Sequence, residues 1–554
     1  MRFTGAQLVV RLLEQQGITT VTGIPGGAAL PLYDAFAERD TIRHVLARHE
    51  QGAGFIAQGM ARASGKAAVC MASSGPGATN LITAIADAKL DSIPLVCITG
   101  QVPSSMIGTD AFQEVDTYGI SIPVTKHNYL VRNAADLLHV IPEAFRLAES
   151  GRPGPVWVDI PKDVQNAVVE IDALPEPGKP DPVPAVNIDE VRRAAELINA
   201  AKTPVLYLGG GVIMAEASAQ AVMLAEQAGM PTTMTLMGLG AMPTDHPLSL
   251  GMLGMHGAAY TNYILQESDL LVVLGARFDD RAIGKAEKFC PDAAIVHIDI
   301  DPAELGKIKR PHVGICGDVS KVLDALMPLV QVQLRKPWLA RAEELRAAHP
   351  LKTPGIEDPR SHYGLIAAVA EALDDNAIVT TDVGQHQMWV AQAYPMRRPR
   401  QLLTSGGLGT MGFGMPTALG AAIAEPERTV VCFSGDGSLK MNIQEFATMA
   451  DEQANVKVIL MNNQTLGMVY QQQDMLYDKR FFAVNYKTRT DFVKIAEGFG
   501  IGALDLDKVE DPRAALAEEL NRRGPCLIHC SIDVEAKVLP FVPPGKSNVE
   551  MIGG

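Results

Sequence analysis

The feature that most restricts the fold of this sequence is a repeated alternation of apolar, β-branched runs with helical patterns. Each run stops at a glycine-rich or polar turn, as in KAAVCMASSGPGATN, TPVLYLGGG, DLLVVLGARF, RTVVCFSGDG and VKVILMNN. Alternation of this kind is typical of parallel sheets that carry helices on both faces. We therefore predict an α/β protein with three domains, each built on a doubly wound parallel sheet.

Two segments interrupt the alternation and divide the chain. Residues 173–187 contain five prolines, which predicts a stiff, exposed linker. Residues 333–361 end in prolines and charged residues and are predicted to bridge two domains. A chain of 554 residues has room for several domains. We predict domains at 1–170, 188–330 and 360–535, followed by a C-terminal tail at 536–554.

Composition excludes several classes of function. The formal net charge is −15 and no basic block is present, which argues against nucleic-acid or anionic-membrane binding. No apolar run approaches the roughly 20 residues of a transmembrane helix. The N-terminal MRFTGAQLVVRLLEQQG predicts an amphipathic helix opened by Thr4 and no signal peptide. Most of the seven cysteines lie in strand-like runs, including Cys526 and Cys530 in CLIHC, so we expect buried thiols in a cytoplasmic protein and no zinc site.

A candidate metal site lies where two predicted strands end. Asp436 stands between two glycines directly after RTVVCFS, and Asn463 ends the VKVILMNN run one helix later. A right-handed crossover makes the two strands parallel, so both side chains should meet at the carboxyl edge of one sheet. Carboxylate and amide oxygens suit Mg²⁺, and the glycines let phosphate oxygens approach the backbone. Taken alone, the same residues also suit an ordinary helix cap after a glycine turn.

The pattern GDGS followed by NN resembles the diphosphate- and Mg²⁺-binding motif of thiamine-diphosphate enzymes. That resemblance implies that Asp436 and Asn463 bind the metal, with the backbone carbonyl of Thr465 as a third ligand. These enzymes also need a carboxylate beside the pyrimidine ring of the cofactor, and Glu50 in its RHEQGA context matches it. Without the resemblance, Glu50 is better explained as a first-turn glutamate that complements the helix dipole.

Further motifs extend the resemblance to nearly the whole chain. They include GTDAFQEVD, GRPGPVWVDIPKDVQ, LGARFDDRAIGK, TTDVGQHQMW, SGGLGTMGFGMP and VPPGKSN. Together they look like the catalytic large subunits of acetolactate synthase, also called acetohydroxyacid synthase, and are most similar to bacterial isozyme I. The family fold has a pyrimidine domain, a central flavin-associated domain and a diphosphate domain. It implies thiamine diphosphate, Mg²⁺ and FAD as cofactors, a homodimer or dimer of dimers, and a small regulatory subunit as partner.

The resemblance also assigns roles to individual residues. Glu50 would activate the cofactor. The other thiamine-diphosphate contacts would be Gly384, Gln385, His386, Gly409, Met411, Gly437, Ser438 and Met468. FAD would contact Arg152, Gly210, Gly211, Thr235, Leu236, His256, Gly275, Arg277, Asp279, Asp299 and Asp318. The substrate would contact Phe112, Gln113, Lys162, Arg281 and Gln472, with Arg281 pairing with the carboxylate of a second 2-ketoacid.

The implied activity decarboxylates pyruvate and adds the two-carbon unit to pyruvate or 2-ketobutyrate, the first common step of valine, leucine and isoleucine biosynthesis. Many family members carry a tryptophan that favours 2-ketobutyrate where this chain has Gln472, so we expect weaker discrimination and mainly acetolactate.

Other activities fit parts of the pattern. Pyruvate oxidase would use a redox-active flavin, whereas glyoxylate carboligase lacks the activating glutamate. A non-catalytic flavoprotein or thiamine-binding regulator would need a decayed catalytic pocket. Gly407, Gly409 and Gly412 also form a G-x-G-x-x-G pattern. A poor preceding strand and the lack of a following acidic residue make a nicotinamide dehydrogenase the weaker interpretation.

Overall fold

A computed structural model describes all 554 residues, which form three six-stranded parallel sheets and one two-stranded antiparallel ribbon. Helices cover the sheets, so the predicted α/β fold with three doubly wound domains is confirmed. No helix is both long enough and apolar enough to cross a lipid bilayer.

The first sheet and its ribbon occupy the N-terminal third of the chain. Their strands are β1 (Arg2–Thr4), β2 (Thr20–Gly23), β3 (Arg43–Leu46), β4 (Ala68–Ala72), β5 (Leu95–Gln101), β6 (His127–Leu130), β7 (Pro155–Pro161) and β8 (Val168–Glu170). The helices are α1 (Gly5–Gln15), α2 (Leu30–Ala37), α3 (Glu50–Ser64), α4 (Pro76–Asp91), α5 (Thr117–Ser121), α6 (Leu137–Glu149) and α7 (Lys162–Asn166). The sheet order is β3-β2-β4-β5-β7-β6, and β1 pairs with β8.

The second sheet lies in the centre of the sequence and has the order β11-β10-β9-β12-β13-β14. Its strands are β9 (Pro204–Leu208), β10 (Thr232–Met234), β11 (Ser249–Met252), β12 (Leu270–Leu274), β13 (Ala294–Asp299) and β14 (Val313–Cys316). The helices are α8 (Ile188–Ala200), α9 (Gly210–Met214), α10 (Ser218–Ala228), α11 (Ala259–Gln266), α12 (Asp280–Ile283), α13 (Val319–Leu326) and α14 (Lys336–Ala348).

The third sheet has the order β16-β15-β17-β18-β20-β19. Its strands are β15 (Ile378–Thr381), β16 (Leu402–Leu403), β17 (Val430–Gly435), β18 (Val456–Asn462), β19 (Gly502–Asp505) and β20 (Cys526–Ser531). The helices are α15 (His362–Ala372), α16 (Gln385–Ala393), α17 (Gly414–Ala424), α18 (Asp436–Leu439), α19 (Glu445–Asp451), α20 (Gly467–Leu476), α21 (Phe492–Gly498) and α22 (Pro512–Asn521).

The two segments predicted as connections behave differently. Residues 173–187 form no helix or strand and are mostly exposed, as the prolines predict. In the stretch 333–361, by contrast, α14 belongs to the central unit, because the indole of Trp338 is buried and its Nε1 donates to the Pro204 carbonyl at 3.0 Å. The connection predicted at residues 333–361 is therefore too broad, because it includes α14. The domain limits at 1–170, 188–330 and 360–535, and the tail at 536–554, stay a prediction.

Local signals in the sequence account for several elements. Helix α1 begins after Thr4, whose hydroxyl accepts from the Gln7 N–H while the Gln7 side chain accepts from the Thr4 N–H. All seven cysteines are free thiols, and Cys526 and Cys530 lie within β20. The predicted helix start and the strand assignment of CLIHC are therefore confirmed.

The N-terminal and C-terminal units touch through two helices of the same chain, α3 and α17. A Cβ added to Gly59 of α3 would collide with the carbonyl of Thr417, and one added to Gly420 of α17 would collide with that of Ile56. Glycine at these two positions lets the helix backbones cross in direct contact. α3 and α17 therefore form a direct contact between the N-terminal and C-terminal units.

Candidate active site

The carboxyl edge of the third sheet brings Asp436 and Asn463 onto neighbouring strands. β17 and β18 pair in parallel, with Gly435 opposite Met461. Asp436 follows β17 directly and starts the short helix α18. β18 ends at Asn462, so Asn463 lies in the following turn and not in the strand, one residue beyond its predicted position.

Asp436 has an unusual environment for a carboxylate. It is 1% exposed, and its Oδ2 atom has no hydrogen-bond partner. Burial raises the pKa of Asp436 to about 6, against the opposing effects of Lys440 and of the Asn463 backbone N–H. The Lys440 ammonium is 4.0 Å from Oδ2. A buried, unpaired carboxylate oxygen is costly in a folded protein, and a bound cation would satisfy it.

Asn463 is held by a neighbouring glutamine. Its Nδ2 donates to Gln385 Oε1 at 3.2 Å, and its Oδ1 accepts from the Thr465 N–H at 3.3 Å. Gln385 is fixed in turn, because its Nε2 donates to the Ala536 carbonyl at 2.7 Å and to Gln471 Oε1 at 3.0 Å. The amide nitrogen of Asn463 therefore points toward Gln385, which leaves its oxygen as the group that can face a metal.

His386 lies between two glycines beside Asp436. A Cβ on Gly384 or on Gly435 would come within 3.0 Å of the imidazole ring. The His386 Nε2 atom is buried without a partner, and burial lowers the pKa of His386 to about 3. The neutral ring has one N–H to donate, which suits a phosphate oxygen. The Ser438 hydroxyl donates to the Val383 carbonyl at 2.8 Å and closes the same turn.

A cavity of about 710 Å³ begins next to this turn. Gly384, Gly409, Met411 and Met468 line it, as do Arg281 and Gln472. Met411 reaches toward Gly437, since a Cβ there would lie 3.5 Å from Met411 Cε. The volume is in the range of cofactor-binding pockets.

All eleven residues that the resemblance assigns to FAD line the same cavity. Gly211 and Gly275 touch backbone to backbone, because a Cβ on Gly211 would lie 2.7 Å from the Gly275 Cα. Burial raises the pKa of Asp299 to about 6. Arg152 reaches in from the N-terminal unit, and its Nη1 donates to Glu304 Oε1 at 2.7 Å. Glu304 carries no sequence motif, so sequence reasoning missed it.

The N-terminal site residues form a separate group. Glu50 opens α3 after the His49 cap, and its Oε2 accepts from Asn80 Nδ2 at 2.9 Å. Gln113 contacts the turn after β4, since a Cβ on Gly75 would lie 2.9 Å from the Gln113 Cα. Lys162 follows β7, and Phe112 is 87% exposed.

None of these four residues (Glu50, Phe112, Gln113 and Lys162) lines the cavity. Hydrogen bonds nevertheless link the start of α3 to the C-terminal unit, since Asn442 Nδ2 donates to Gln51 Oε1 at 3.3 Å and to the Gly412 carbonyl at 2.7 Å. Asp436 and Asn463 do not line the cavity themselves, but Gly384, Met411 and Met468 beside them do, together with the eleven residues that the resemblance assigns to FAD, whereas Glu50 is not part of that wall.

A buried glutamate that the sequence did not single out supports the start of α3. Glu445 of α19 is 0% exposed, and its Oε1 accepts from the backbone N–H groups of Arg48 and His49, both at 3.0 Å. The Thr448 hydroxyl donates to its Oε2 at 2.6 Å. Glu445 thus ties the turn before Glu50 to the C-terminal unit, a contact between residues nearly 400 positions apart that no local pattern predicts.

Comparison with known proteins identifies the family to which the chain belongs. Three family models match: "Thiamine pyrophosphate enzyme, N-terminal TPP binding domain" at residues 3–120, the central domain of the same enzymes at 191–326, and their C-terminal TPP binding domain at 382–530. The acetolactate synthase isozyme 1 large subunit of Escherichia coli is 65% identical, over 100% of this chain and 98% of its own length.

Two further relatives carry the same name. The isozyme 2 large subunit of E. coli is 47% identical over 99% of both chains. The acetolactate synthase large subunit of Corynebacterium glutamicum is 45% identical over 99% of this chain and 90% of its own. The chain therefore belongs to the acetolactate synthase large subunits, within the thiamine-diphosphate enzymes.

Proposed function

We propose that this chain catalyses the decarboxylation of pyruvate and the transfer of the remaining two-carbon unit to a second 2-ketoacid. With pyruvate as acceptor the product is 2-acetolactate, and with 2-ketobutyrate it is 2-aceto-2-hydroxybutyrate, the first common step of branched-chain amino acid biosynthesis. The observation that carries the proposal is the buried, unpaired Asp436 carboxylate beside Asn463, next to the turn at Gly384, which lines the same cavity as the predicted flavin residues. Relatives named acetolactate synthase support it.

The donor set at the C-terminal sheet fits Mg²⁺ and a diphosphate. Asp436 Oδ2, Asn463 Oδ1 and the Thr465 carbonyl would hold the metal, because hard oxygen ligands suit Mg²⁺. Gly384, Gln385, His386, Gly437 and Ser438 would surround the diphosphate. Thiamine diphosphate, when bound, supplies a nucleophilic thiazolium carbon and the electron sink for loss of CO₂. Gly409, Met411 and Met468 would hold its rings.

Glu50 would hold and exchange a proton at the pyrimidine N1′. Because Glu50 does not reach the cavity of its own chain, we propose that it serves the cavity of a second copy, which makes a homodimer the smallest active unit. Phe112, Gln113 and Lys162 would line the substrate entrance from the same side. Assembly into a dimer of dimers and binding of a small regulatory subunit extend the proposal, and the designation of the relatives as large subunits supports a small partner.

The flavin would be structural, since the proposed reaction involves no net oxidation or reduction. The eleven cavity residues would hold it, and Asp279 shapes its loop by accepting from the Arg281 and Ala282 N–H groups at 3.0 and 3.2 Å. Arg281 lies at the cavity wall with its side chain 65% exposed. Its Nε lies 3.9 Å from Asp280 Oδ2, beyond hydrogen-bond distance, and its guanidinium would bind the carboxylate of the second 2-ketoacid.

One experiment separates this activity from a pyruvate oxidase. The protein, loaded with thiamine diphosphate, Mg²⁺ and FAD, is given pyruvate with and without dioxygen, and CO₂ and acetolactate are measured. We expect one acetolactate for each CO₂, at a rate that does not depend on dioxygen. Dioxygen-dependent release of CO₂ without acetolactate would instead support the oxidase.

Gln472 gives a prediction about acceptor choice. Its side chain lines the cavity, where a larger aromatic ring would add apolar contact to the extra methylene of 2-ketobutyrate. We expect Gln472→Trp to raise the preference for 2-ketobutyrate over pyruvate by about tenfold, the usual value of one methylene in an apolar pocket. Competition between the two acceptors measures the ratio. A strong preference for 2-ketobutyrate in the unaltered protein would contradict the expectation.

The contact between Gly211 and Gly275 gives a prediction about the flavin. An added methyl at Gly211 must push the two loops apart, because it would lie 2.7 Å from the Gly275 Cα. We therefore expect Gly211→Ala to purify with less than about a tenth of the bound flavin, as visible absorbance measures. Gly498→Ala is the control, since a Cβ there meets no atom within 4 Å. Equal flavin content in the two variants would contradict the assignment.

A further inference from the structure

The loop 404–411 carries two of the residues proposed to hold the cofactor rings, Gly409 and Met411. Its tip is open to solvent, and residues 406–409 are all exposed. Its own unit holds the base of the loop, where Gln387 Nε2 donates to the Thr404 hydroxyl at 2.9 Å and to the Ser405 carbonyl at 3.1 Å. The tip therefore needs anchors from elsewhere.

Asp91, the last residue of α4 in the N-terminal unit, supplies one anchor. Its Oδ1 accepts from the Gly407 N–H at 2.7 Å and its Oδ2 from the Gly406 N–H at 3.1 Å. A carboxylate of the protein thus accepts from the N–H of Gly407, the first glycine of the G-x-G-x-x-G pattern, and from that of Gly406 just before it. Because these N–H groups already donate to Asp91, they are not free to bind the phosphates of a dinucleotide. The nicotinamide dehydrogenase alternative is therefore wrong.

Asp87, one helical turn earlier on α4, supplies the second anchor. Its Oδ1 accepts from the Thr410 hydroxyl at 2.9 Å and also from the Ser405 hydroxyl. The Thr410 N–H donates to the Ser405 hydroxyl at 2.9 Å. One carboxylate oxygen therefore holds both sides of the loop together.

Arg62 of α3 holds the two carboxylates in place. Its Nη2 donates to Asp91 Oδ2 at 2.8 Å and to Asp87 Oδ2 at 3.2 Å, while its Nη1 donates to the Thr404 carbonyl at 3.0 Å. All three side chains are at most 4% exposed. The single positive charge of Arg62 does not neutralise both buried carboxylates. The N–H and hydroxyl groups of the loop supply the remaining hydrogen bonds that Asp87 and Asp91 need.

We propose that Asp87 and Asp91 are positioning residues that hold loop 404–411 in the conformation that binds the cofactor rings. The inference rests on the proposed function and deepens it. Neither carboxylate touches the reacting atoms. The cofactor site of the C-terminal unit thereby depends on docking of the N-terminal unit of the same chain, through a contact that is separate from the one made by Glu50 of a second copy.

The main test is Asp91→Asn in the full chain. We expect the dissociation constant for thiamine diphosphate at saturating Mg²⁺, measured by isothermal titration calorimetry, to rise at least about tenfold, as loss of a charged hydrogen bond predicts. Because the loop still closes once the cofactor saturates it, kcat and the KM for pyruvate should stay within about threefold of wild type. Amide hydrogen exchange of residues 404–411 should become faster in the cofactor-free protein.

A buried carboxylate of the same unit provides the matched control. Asp159 is 1% exposed and accepts from the Thr99 hydroxyl at 2.7 Å and from Gln101 Nε2 at 3.0 Å, without touching the loop. Asp159→Asn makes the same chemical change and should leave both the dissociation constant and the loop exchange as in wild type. An equal effect in both variants would overturn the inference, as would an Asp91→Asn protein with wild-type affinity and exchange.

A second variant avoids any change of buried charge. Thr410→Val removes one hydroxyl donor to the Asp87 carboxylate from the loop side, without removing a charged group, and should raise the dissociation constant at least about threefold. If Asp91→Asn does not fold, Thr410→Val becomes the test of the inference. Wild-type affinity for thiamine diphosphate and wild-type amide exchange of residues 404–411 in that variant would overturn the inference. Cofactor binding and amide hydrogen exchange can be measured without turnover. A wild-type protein that makes no acetolactate would therefore contradict the proposed function, and the two measurements would still test the positioning role of Asp87 and Asp91.

Discussion

Replacing Glu50 with glutamine is expected to lower the rate of acetolactate formation by about 10²- to 10⁴-fold, the usual contribution of a positioned general acid or base. Glutamine keeps the size of the side chain, and its carbonyl can still accept from Asn80 Nδ2, which lies 2.9 Å from Glu50 Oε2. It cannot hold and release a proton at the pyrimidine. Steady-state kinetics at saturating thiamine diphosphate and Mg²⁺ measure the effect.

The same variant should bind the cofactor nearly as well as the wild type, because the metal and diphosphate contacts lie in the other group of residues. Titration calorimetry should therefore give dissociation constants within about threefold of each other. Glu38→Gln is the matched control, since Glu38 is an exposed glutamate of the same unit that bonds only to Gln7. A Glu50→Gln protein with wild-type turnover would remove Glu50 from its proposed role.

Replacing Asp436 with alanine is expected to weaken Mg²⁺-dependent binding of thiamine diphosphate by about 100-fold or more, because a direct metal ligand is lost. Chelation of Mg²⁺ by EDTA should weaken binding to the wild type to a similar extent. The alanine variant should no longer respond to EDTA. Titration calorimetry with and without the chelator measures both effects, and a variant that keeps Mg²⁺-dependent affinity would contradict the assignment.

This variant should not lose stability in the cofactor-free state. Asp436 is buried with one unpaired oxygen, so its removal relieves a desolvation penalty. We expect the Tm of cofactor-free Asp436→Ala to equal or exceed that of the wild type. Asp451→Ala, at a carboxylate of the same unit whose side chain is 64% exposed, is the control for binding and should behave as the wild type. A large fall in Tm would mean that the loss of binding reflects unfolding.

The strand pattern predicted the fold well because parallel strands buried on both faces leave continuous apolar runs. β17 and β18 are examples, and the crossover rule correctly placed them side by side. Short-range rules were weaker at element ends. β18 stops one residue before Asn463, and α14 emerged from a stretch that proline and charge had marked as a connection. For α14 a tertiary contact decides the assignment, namely the burial of Trp338 against the central sheet.

The candidate site was predictable only in part from the residues themselves. Asp436 and Asn463 follow from spacing, since both stand at strand ends that topology brings together. The role of Glu50 and the flavin assignments came from the resemblance and stay predictions. Glu304, Glu445 and the pair Asp87 and Asp91 carried no signal, because their partners lie far away in the sequence and a single buried carboxylate on a helix has no pattern of its own.

The most direct test of the central claim combines the two inactive variants. Glu50→Gln and Asp436→Ala chains are co-expressed with different tags, and the activity of the mixture is measured. If Glu50 serves the Asp436 site of a second copy, each mixed dimer has one intact site. Random pairing should then restore about one quarter of the wild-type rate, since about half the dimers are mixed. A mixture as inactive as either variant alone would show that both residues must come from one chain, and would contradict the account.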